Sequence, residues 1–352
     1  MATLRAPIAG PCAWRGDELA HSTRWIRTLD GDAVAAIDRA LAAVRGLAWH
    51  EVTRANFPLP GLEDTFADIA RELEDGSGVV KWRGLPVGRY AADDLRRIWY
   101  GIGSHLGRPV FQNRSGEKMR DISDEGVAIG DKYGKVERRE GGVFLSSYAR
   151  TLSSGPLRFH TDRCDVVGLL CVRQAGSGGL SRLSSSVAIH NEMLRRRPDL
   201  LETLFGDFHR SRFGEEAGSP DVVYKLPIFG LRDGKFTSHY SLTYIEAAEM
   251  VPGVPKLTAA QRAAIALLMA LADELAFDMM FEPGDMQFLN NHVVYHARTA
   301  FADDAEAGRA RLLYRLWLTM HNNRPLPAGH EVLWGNIEAG QPRGGIGQVP
   351  VS

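Results

Sequence analysis

The sequence contains only three cysteines in 352 residues, Cys12, Cys164 and Cys171. They are too few and too scattered for a disulfide framework or a cysteine-based zinc site. The first residues, Met-Ala-Thr-Leu-Arg-Ala-Pro, lack the long apolar core of a signal peptide. These features favour the reducing cytoplasm as the location of the protein.

A strong net charge and long hydrophobic runs are also missing. The 42 lysines and arginines balance 43 aspartates and glutamates, so the formal net charge is −1. A balanced charge predicts no strong attraction to nucleic acid or to a membrane surface. No apolar run reaches the roughly 20 residues that span a bilayer. We therefore expect a globular protein whose partner is a small molecule, and the sequence leaves homo-oligomer formation open.

The first hundred residues are predicted to be mainly helical. Helices are expected at 33–45, 64–73 and 92–106, with one strand at 78–84 between turn residues. There are no internal repeats and there is no low-complexity linker. Residues 112–139 are polar and contain glycine, which fits an ordinary surface loop or a mobile loop over a functional site.

Strands dominate the second half of the chain. They are predicted at 166–172, 222–229, 235–240, 277–281, 286–297 and 311–320, with helices at 187–196 and 258–276. The last helix has a clear start, because Thr258-Ala-Ala-Gln261 forms a capping box. This order favours a β-rich α+β fold with a jelly-roll core and surrounding helices. We expect a single catalytic domain over 1–352, mainly helical to about 107, with the jelly roll at about 140–325.

The motif Leu157-Arg-Phe-His160-Thr-Asp162 is predicted to be a short strand that presents two metal ligands. Side chains at i and i+2 of a strand leave on the same face, so His160 and Asp162 can bind one ion. A second pair, His190-Asn-Glu192, lies in a predicted helix, where i and i+2 do not face each other. Two histidines and one carboxylate on one face of Fe(II) leave three positions for substrate and dioxygen.

The third ligand is expected from a later strand. The region 283–299 contains both His292 and His296. Four residues apart on a straight strand they share a face, but they are separated by roughly 13 Å. One metal ion cannot take both, and a single histidine is more often a core or surface residue than a ligand.

Arginines follow an alternating pattern in the last predicted strand. Arg309, Arg311 and Arg315 all occupy odd positions and therefore one strand face. A guanidinium can hold a carboxylate with two parallel hydrogen bonds, which a lysine cannot reproduce. A solvated basic strand edge would show the same pattern. The interleaved leucines and tryptophan favour a half-buried strand, in which a buried arginine needs an anionic partner.

The order along the chain of His160-x-Asp162, then His296, then Arg311 and Arg315 resembles that in the clavaminate synthase-like branch of the taurine dioxygenase (TauD/TfdA) family. Its members are Fe(II)- and 2-oxoglutarate-dependent oxygenases with a double-stranded β-helix (jelly-roll, cupin-like) fold. The resemblance covers about residues 75–325. It is carried by Phe159-His-Thr-Asp162, Gly178-Gly-Leu-Ser181, the block 283–298 that begins Pro-Gly-Asp, and the Arg311 to Arg315 strand. Ser181 replaces the commoner threonine and keeps the hydroxyl.

The resemblance implies that His160, Asp162 and His296 hold Fe(II), with His292 in reserve as the third ligand. The carboxylate of Asp162 implies an oxygenase and not a halogenase, because halogenating relatives have a small residue at this position and bind chloride there. The implied reaction consumes dioxygen and converts 2-oxoglutarate to succinate and carbon dioxide. It hydroxylates an unactivated carbon of the substrate, with desaturation or ring closure as other outcomes.

The resemblance also implies that Arg311 and Ser181 bind the 5-carboxylate of 2-oxoglutarate. Arg315 would face the substrate, which suits an anionic or amino-acid-like molecule. Further pocket candidates are Gln112, Asn113, Tyr240 and Tyr244. Fold and cofactor do not identify the substrate.

Two other classes of function remain open at this stage. One is a metal-dependent hydrolase with the same ligands, which has no need of Arg311 and would lack the glutamate of a zincin helix between His292 and His296. The other is a non-catalytic jelly roll that binds a ligand.

Overall fold

The computed structural model describes residues 6–126, 128–137, 143–213 and 223–347. The helices are α1 Gly16–His21, α2 Gly31–Val44, α3 Glu63–Glu74, α4 Ala92–Leu106, α5 Ile129–Tyr133, α6 Ser147–Thr151, α7 Ser186–Arg196, α8 Pro198–Leu204, α9 Leu242–Glu249, α10 Ala259–Glu274 and α11 Glu331–Trp334. The strands are β1 Ile26–Thr28, β2 Val79–Arg83, β3 Gly107–Pro109, β4 Met119–Ile122, β5 Lys135–Glu137, β6 Val143–Leu145, β7 Leu157–His160, β8 Val166–Arg173, β9 Ser177–Gly178, β10 Ser181–Ser185, β11 Asp207–Ser211, β12 Val223–Pro227, β13 Phe229–Arg232, β14 Lys235–Ser238, β15 Phe277–Met279, β16 Met286–Asn290, β17 Val294–Arg298, β18 Phe301–Ala302 and β19 Leu312–Met320.

Two mainly antiparallel sheets form the core. The larger sheet has seven strands in the order β1-β2-β16-β8-β19-β3, with β4 also paired to β19. The smaller sheet has the order β15-β10-β17-β7. Neighbours in both sheets are far apart in sequence, as expected of a jelly roll, in which the chain passes repeatedly between two sheets. The predicted fold, a jelly roll surrounded by helices, is confirmed.

Both faces of the larger sheet are buried. On β19, Tyr314, Leu316 and Leu318 belong to a cluster with α2, α3 and α4. Leu313 and Trp317, at the alternate positions, belong to the cluster that contains the smaller sheet. Successive side chains of a strand leave on opposite faces, so β19 is apolar almost throughout, apart from its inward-facing arginine.

The N-terminal part contributes strands as well as helices. The strands β1, β2 and β3 and the helices α2, α3 and α4 all lie before residue 110, and the three strands join the larger sheet. The larger sheet of the jelly roll therefore begins well before the predicted boundary near residue 140, because β2 lies between β1 and β16 in that sheet. That one domain spans 1–352 stays a prediction.

The predicted helix boundaries agree closely with the structure. Helix α4 has the predicted bounds, and α10 begins after Thr258, whose hydroxyl accepts a hydrogen bond from the backbone of Gln261. Proline at position 198 opens α8, as its missing N–H allows at the first helical position.

Two predicted strands are wrong in extent. The predicted strand 286–297 is two strands, β16 and β17, with a turn at residues 291–293. The predicted strand 222–229 ends at Pro227, and residue 222 lies outside the described residues. In both places the predicted strand runs through a change of direction, which turn residues mark in the sequence: Asn291 in the first case and Pro227 in the second.

The polar stretch 112–139 is more regular than a loop. It contains β4, which pairs with β19, and then α5 and β5. Residues 127, 138 and 139 lie outside the described residues. A lid function for this stretch stays a prediction. Within the described ranges, no helix combines the length and the apolar character needed to cross a lipid bilayer.

Candidate active site

The predicted metal ligands meet on the inner face of the smaller sheet. His160 at the end of β7 pairs across the sheet with His296 on β17, and their ring centroids are 4.3 Å apart. Asp162 lies two residues beyond the strand, and one ligand atom from each residue lies within 4.8 Å of the others. The Asp162 oxygens lie 3.9 Å from His160 Nε2 and 3.8 Å from His296 Nε2. The structure thus brings together the three residues predicted to hold iron.

Neighbouring groups fix the orientation of these side chains. His160 Nδ1 lies 2.8 Å from the carbonyl oxygen of Arg158, so this nitrogen is the donor and Nε2 is left with its lone pair. The indole Nε1–H of Trp317 donates to Asp162 Oδ2 at 2.9 Å. The backbone N–H of Asp162 donates to Asn291 Oδ1, also at 2.9 Å. Such contacts hold metal ligands in place and tune their basicity.

The protonation states suit a divalent metal. Burial lowers the pKa of His160, and burial together with the neighbouring His160 lowers the pKa of His296 to about 3. Burial opposes ionisation of Asp162, but the charge of Arg315, helped by the hydrogen bond from Trp317, outweighs it and lowers the pKa of the Asp162 carboxyl. Neutral imidazoles and an ionised carboxylate are the forms that bind metal. This donor set fits Fe(II) with open coordination positions.

A cavity of about 50 Å³ extends from the three ligands between the two sheets. Its polar lining includes Ser181 and Gln287 as well as three arginines, at positions 298, 311 and 315. Arg311, which immediately precedes β19, and Arg315 within it line the cavity together with Leu313, as predicted from their odd positions. The cavity therefore joins a candidate metal centre to buried cationic groups.

Arg311 is buried, and no carboxylate of the described residues forms an ion pair with its guanidinium. The residue is 7% exposed, and among the described residues its Nη1 has no hydrogen-bond partner. Burial lowers its pKa to about 10. Ser181 lies on the same cavity and donates from Oγ to Gln287 Oε1 at 3.1 Å. A buried arginine that lacks a partner is costly, so this end of the cavity fits a ligand carboxylate.

Aromatic and glycine contacts shape the surroundings of Arg311. Its guanidinium carbon lies 5.1 Å from the ring centroid of Phe301, and that of Arg298 lies 4.8 Å from the same ring. Gly179 has a φ of +72°, and a Cβ there would lie 3.3 Å from Arg311 Nε. The glycine turn before Ser181 therefore lets the backbone close tightly around the guanidinium.

Arg315 already has partners. Its Nε donates to Gln112 Oε1 at 2.7 Å, and Gln112 Nε2 donates back to the carbonyl oxygen of Arg315 at 2.8 Å. Its Nη1 lies 3.9 Å from Asp162 Oδ2. Gln112 is fully buried, so it supports Arg315 instead of facing the cavity as predicted.

The other predicted substrate residues do not line this cavity. Asn113 donates to Glu117 and to the hydroxyl of Tyr148. Tyr240 faces a separate groove on the outer side of the smaller sheet. The Tyr244 ring stacks against His239. None of the three belongs to the cavity lining, and a substrate role for them stays a prediction.

His292 is not part of the metal site. It lies in the turn between β16 and β17, where its Nε2 is 2.9 Å from Asp165 Oδ1 and its Nδ1 is 2.7 Å from Thr237 Oγ1. Both ring nitrogens are therefore used in a buried network, and the reserve assignment of His292 as a ligand is wrong. Because of this turn, His292 and His296 do not lie on one straight strand, contrary to the expectation from the sequence.

The structure also excludes His190 and Glu192 as a pair of metal ligands. His190 is buried on α7 among phenylalanine rings, whereas Glu192 pairs with arginines at the surface. The two side chains point in different directions, as helical geometry requires.

Sequence reasoning missed four residues that shape the site: Trp317, Asn291, Gln287 and Arg298. For Trp317 a signal existed, because it shares the odd-numbered face of β19 with the two arginines. Arg298 is two residues after His296, and it donates to the carbonyl oxygens of Thr151, Ser153 and Gly155. The two-residue spacing from His296 is a local signal for Arg298, whereas no local pattern indicates the roles of Asn291 and Gln287.

Two curated proteins are similar to this chain over most of its length. FR-33289 synthase of Streptomyces rubellomurinus is 28% identical over 96% of this chain and 98% of its own. Taurine hydroxylase-like protein SAT17 of Stachybotrys chartarum is 29% identical over 85% of this chain and 76% of its own.

Solved structures share the fold at low sequence identity. An asparagine oxygenase in complex with Fe(II), 2S,3S-3-hydroxyasparagine and succinate has a TM-score of 0.61 at 17% identity, over 84% of this chain and 94% of its own. The non-heme iron oxygenase OrfP with iron, succinate and (3S)-hydroxy-L-Arg has a TM-score of 0.60 at 14% identity, over 84% and 94%.

A family model covers most of the chain. The model of the taurine catabolism dioxygenase TauD, TfdA family matches residues 43–317, which include the smaller sheet, most of the larger sheet, the three candidate ligands, Arg311 and Arg315. The chain therefore belongs to the TauD, TfdA family of dioxygenases.

Proposed function

We propose that this protein is an Fe(II)- and 2-oxoglutarate-dependent dioxygenase that hydroxylates an unactivated carbon of a small, amino-acid-like or anionic substrate. The observation that carries the proposal is the buried Arg311 guanidinium, whose Nη1 has no partner among the described residues, in the same cavity as the His160, Asp162 and His296 ligand atoms. A metal ligand set alone would also suit a hydrolase, but a buried, unpaired arginine beside it calls for a carboxylate ligand.

The iron is held by two imidazole nitrogens and one carboxylate in this proposal. His160 and His296 bind through Nε2, which the contact of His160 Nδ1 with the Arg158 carbonyl leaves free. Asp162 binds through its carboxylate while Trp317 holds Oδ2. When bound, iron and 2-oxoglutarate supply the oxidative decarboxylation that consumes dioxygen, releases succinate and carbon dioxide, and oxidises the substrate.

Arg311 and Ser181 hold the 5-carboxylate of 2-oxoglutarate. Arg311 supplies the charge and the two-pronged donor geometry that fits a carboxylate. Ser181 supplies a hydroxyl once it turns from Gln287, its partner at 3.1 Å. Both side chains are buried, and burial away from water strengthens their hydrogen bonds to a carboxylate.

Arg315 lines the cavity next to the metal ligands. Its Nε is held by Gln112, so its remaining N–H groups are oriented toward Asp162 and the cavity. We propose that it orients an anionic group of the substrate. An amino-acid-like substrate is supported by the hydroxylated asparagine and arginine named in the complexes of the two fold neighbours.

The test is an anaerobic titration of the purified protein with Fe(II) and then 2-oxoglutarate. The proposal predicts a visible charge-transfer band that appears only with both, and succinate release when air and a suitable small acid are admitted. The Asp162→Ala variant should fold normally and show neither. A protein that binds metal but forms no band with 2-oxoglutarate would favour the hydrolase, and one that binds neither would favour a non-catalytic jelly roll.

The remaining assignments extend the same proposal. We propose a cytoplasmic enzyme of one catalytic domain that takes a small molecule and has no nucleic-acid partner. Homo-oligomer formation is left to measurement, and light scattering of the purified protein decides it.

A further inference from the structure

A short buried segment that is hydrogen-bonded to residues next to Asp162 and Gln112 lies outside the family match. Residues 343–346, Arg-Gly-Gly-Ile, are called the strap here. They follow α11 and lie beyond the matched residues 43–317. Arg343 and Ile346 are each 2% exposed, so the strap is part of the interior despite its lack of regular secondary structure.

The strap is hydrogen-bonded to the neighbours of two site residues. The N–H of Gly345 donates to the carbonyl oxygen of Arg163 at 2.7 Å, and Arg163 follows the ligand Asp162 in the chain. The N–H of Ile346 donates to the carbonyl oxygen of Phe111 at 2.8 Å. Phe111 precedes Gln112, which holds Arg315. One strap therefore ties together the backbones that position Asp162 and Arg315.

Arg343 adds a third tie, to Asp165. Its Nε donates to Asp165 Oδ1 at 2.7 Å, and its Nη1 donates to the carbonyl oxygen of Arg324 at 2.6 Å. Asp165 also accepts hydrogen bonds from Thr319 and from the backbone of Met320 on β19. The residues 162–165 are thus held at one end by the metal-site contacts of Asp162 and at the other by this buried carboxylate.

The close approach of the strap requires glycine. Gly344 and Gly345 have φ values of +76° and +80°. A Cβ on Gly344 would lie 2.8 Å from the carbonyl oxygen of Arg163, and one on Gly345 would lie 3.0 Å from that of Phe111. Gly347 has a φ of +95°, but a Cβ there would meet nothing within 4 Å. Gly347 therefore shares the backbone conformation without the close contact.

We propose that the strap is a positioning element of the active site, which holds residues 162–165 and 111–112 so that Asp162 faces the metal and Arg315 faces the substrate. The identification of Asp162 as a ligand rests on the proposed function. The strap itself touches neither metal nor substrate. A displacement of about 1 Å in an active site can cost on the order of a hundredfold in rate. Contacts that fix the position of Asp162 and Arg315 without touching the substrate can therefore affect activity.

The test compares Gly345→Ala with the matched control Gly347→Ala. Both place a side chain at a positive φ, but only Gly345→Ala forces Phe111 and Val110 to move. We expect Fe(II) binding, measured by anaerobic titration, to weaken about tenfold in Gly345→Ala and less than twofold in Gly347→Ala. In the metal-free proteins, amide hydrogen exchange should accelerate in Gly345→Ala at residues 111–112 and 162–165, with β16 and the helices unchanged. A merely structural role would lower protection throughout.

A milder variant keeps the proposal testable if Gly345→Ala does not fold. Arg343→Lys keeps a charge near Asp165 and loses the second donation to the Arg324 carbonyl, and we expect a threefold to fivefold loss of Fe(II) affinity. Normal Fe(II) binding and normal local exchange in a folded strap variant would overturn the proposal, as would failure of both variants to fold. A parent protein that binds no Fe(II) would instead overturn the proposed function.

Discussion

Individual buried groups that have or lack partners determine the chemistry of the cavity. Arg298 donates to three backbone carbonyls, and Arg315 is held by Gln112. Arg298 leaves only its Nε buried without a partner, whereas at Arg311 it is a terminal nitrogen, Nη1, that is buried with no partner among the described residues. A desolvated donor without an acceptor costs about 1–3 kcal/mol, and more when it is charged. A ligand carboxylate at this position would recover that free energy.

Replacing Arg311 by lysine should weaken 2-oxoglutarate binding selectively. The lysine keeps the charge but loses the two-pronged contact, so we expect the dissociation constant to rise about tenfold, or ~1.4 kcal/mol. Affinity for Fe(II) alone should change little. The measurement is the anaerobic charge-transfer band during a 2-oxoglutarate titration. Arg315→Lys is the matched variant and should mainly affect the substrate, so the reverse pattern would mean that the two arginines are assigned the wrong way round.

The two histidines near the end of β16 and the start of β17 should behave differently. His296→Ala should lose Fe(II) binding, because it removes a ligand atom. His292→Ala should keep Fe(II) binding but destabilise the fold by about 2 kcal/mol, since it removes a buried hydrogen bond to the Asp165 carboxylate. Metal titration and urea unfolding of both variants test this. Loss of iron in His292→Ala with retention in His296→Ala would contradict the site described above.

Strand β19 links both ends of the active site. Arg311 immediately precedes it, and Arg315 and Trp317 follow at alternate positions on its inner face, one toward the cavity and one against Asp162. It pairs with β8 on one side and with β3 and β4 on the other, so its register is held along its whole length. A central strand of this kind carries site residues more rigidly than a loop does.

Replacing Trp317 by phenylalanine should weaken metal binding without removing a ligand. The change keeps an aromatic ring in the core but deletes the N–H that donates to Asp162 Oδ2 at 2.9 Å. Loss of such a supporting contact typically costs 10-fold to 100-fold in metal affinity, and we expect about tenfold here. Fe(II) titration of Trp317→Phe checks it, with Trp99→Phe as the control, since Trp99 lies in the cluster of the N-terminal helices. Equal effects in both variants would point to packing alone.

Buried histidines should make the stability of the whole molecule depend on pH. Burial lowers the pKa of His292 to about 3 and the pKa of His330 to about 4. The unfolded chain therefore binds more protons than the folded one from about pH 4 to about pH 6.5, so the free energy of unfolding falls as pH falls through this window. Each such histidine can contribute roughly 2 kcal/mol between pH 7 and pH 5.

Urea unfolding of the metal-free protein at pH 7, 6 and 5 measures this dependence. The slope against pH should be shallower in His292→Gln, which removes one of the titrating groups. A free energy of unfolding that does not fall from pH 7 to pH 5 would contradict the prediction.

Local chemistry was sufficient to predict several parts of this protein. Periodicity and capping involve residues only a few positions apart. They were enough to predict helix α4, the capped start of α10 and the shared face of Arg311 and Arg315. The pairing of His160 with Asp162 is of the same kind, because i and i+2 of an extended segment share a face whatever surrounds them. The order of the motifs then identified the family.

Only the tertiary structure decided which distant residues join these local units. His296 rather than His292 lies opposite His160, because the turn at 291–293 and the register of β17 against β7 put it there. Ser181 and Arg311 meet because two sheets pack face to face, and the strap reaches Arg163 from about 180 positions away in the chain. Such contacts depend on strand register and sheet packing, which are set by the burial of the whole core and not by any local pattern.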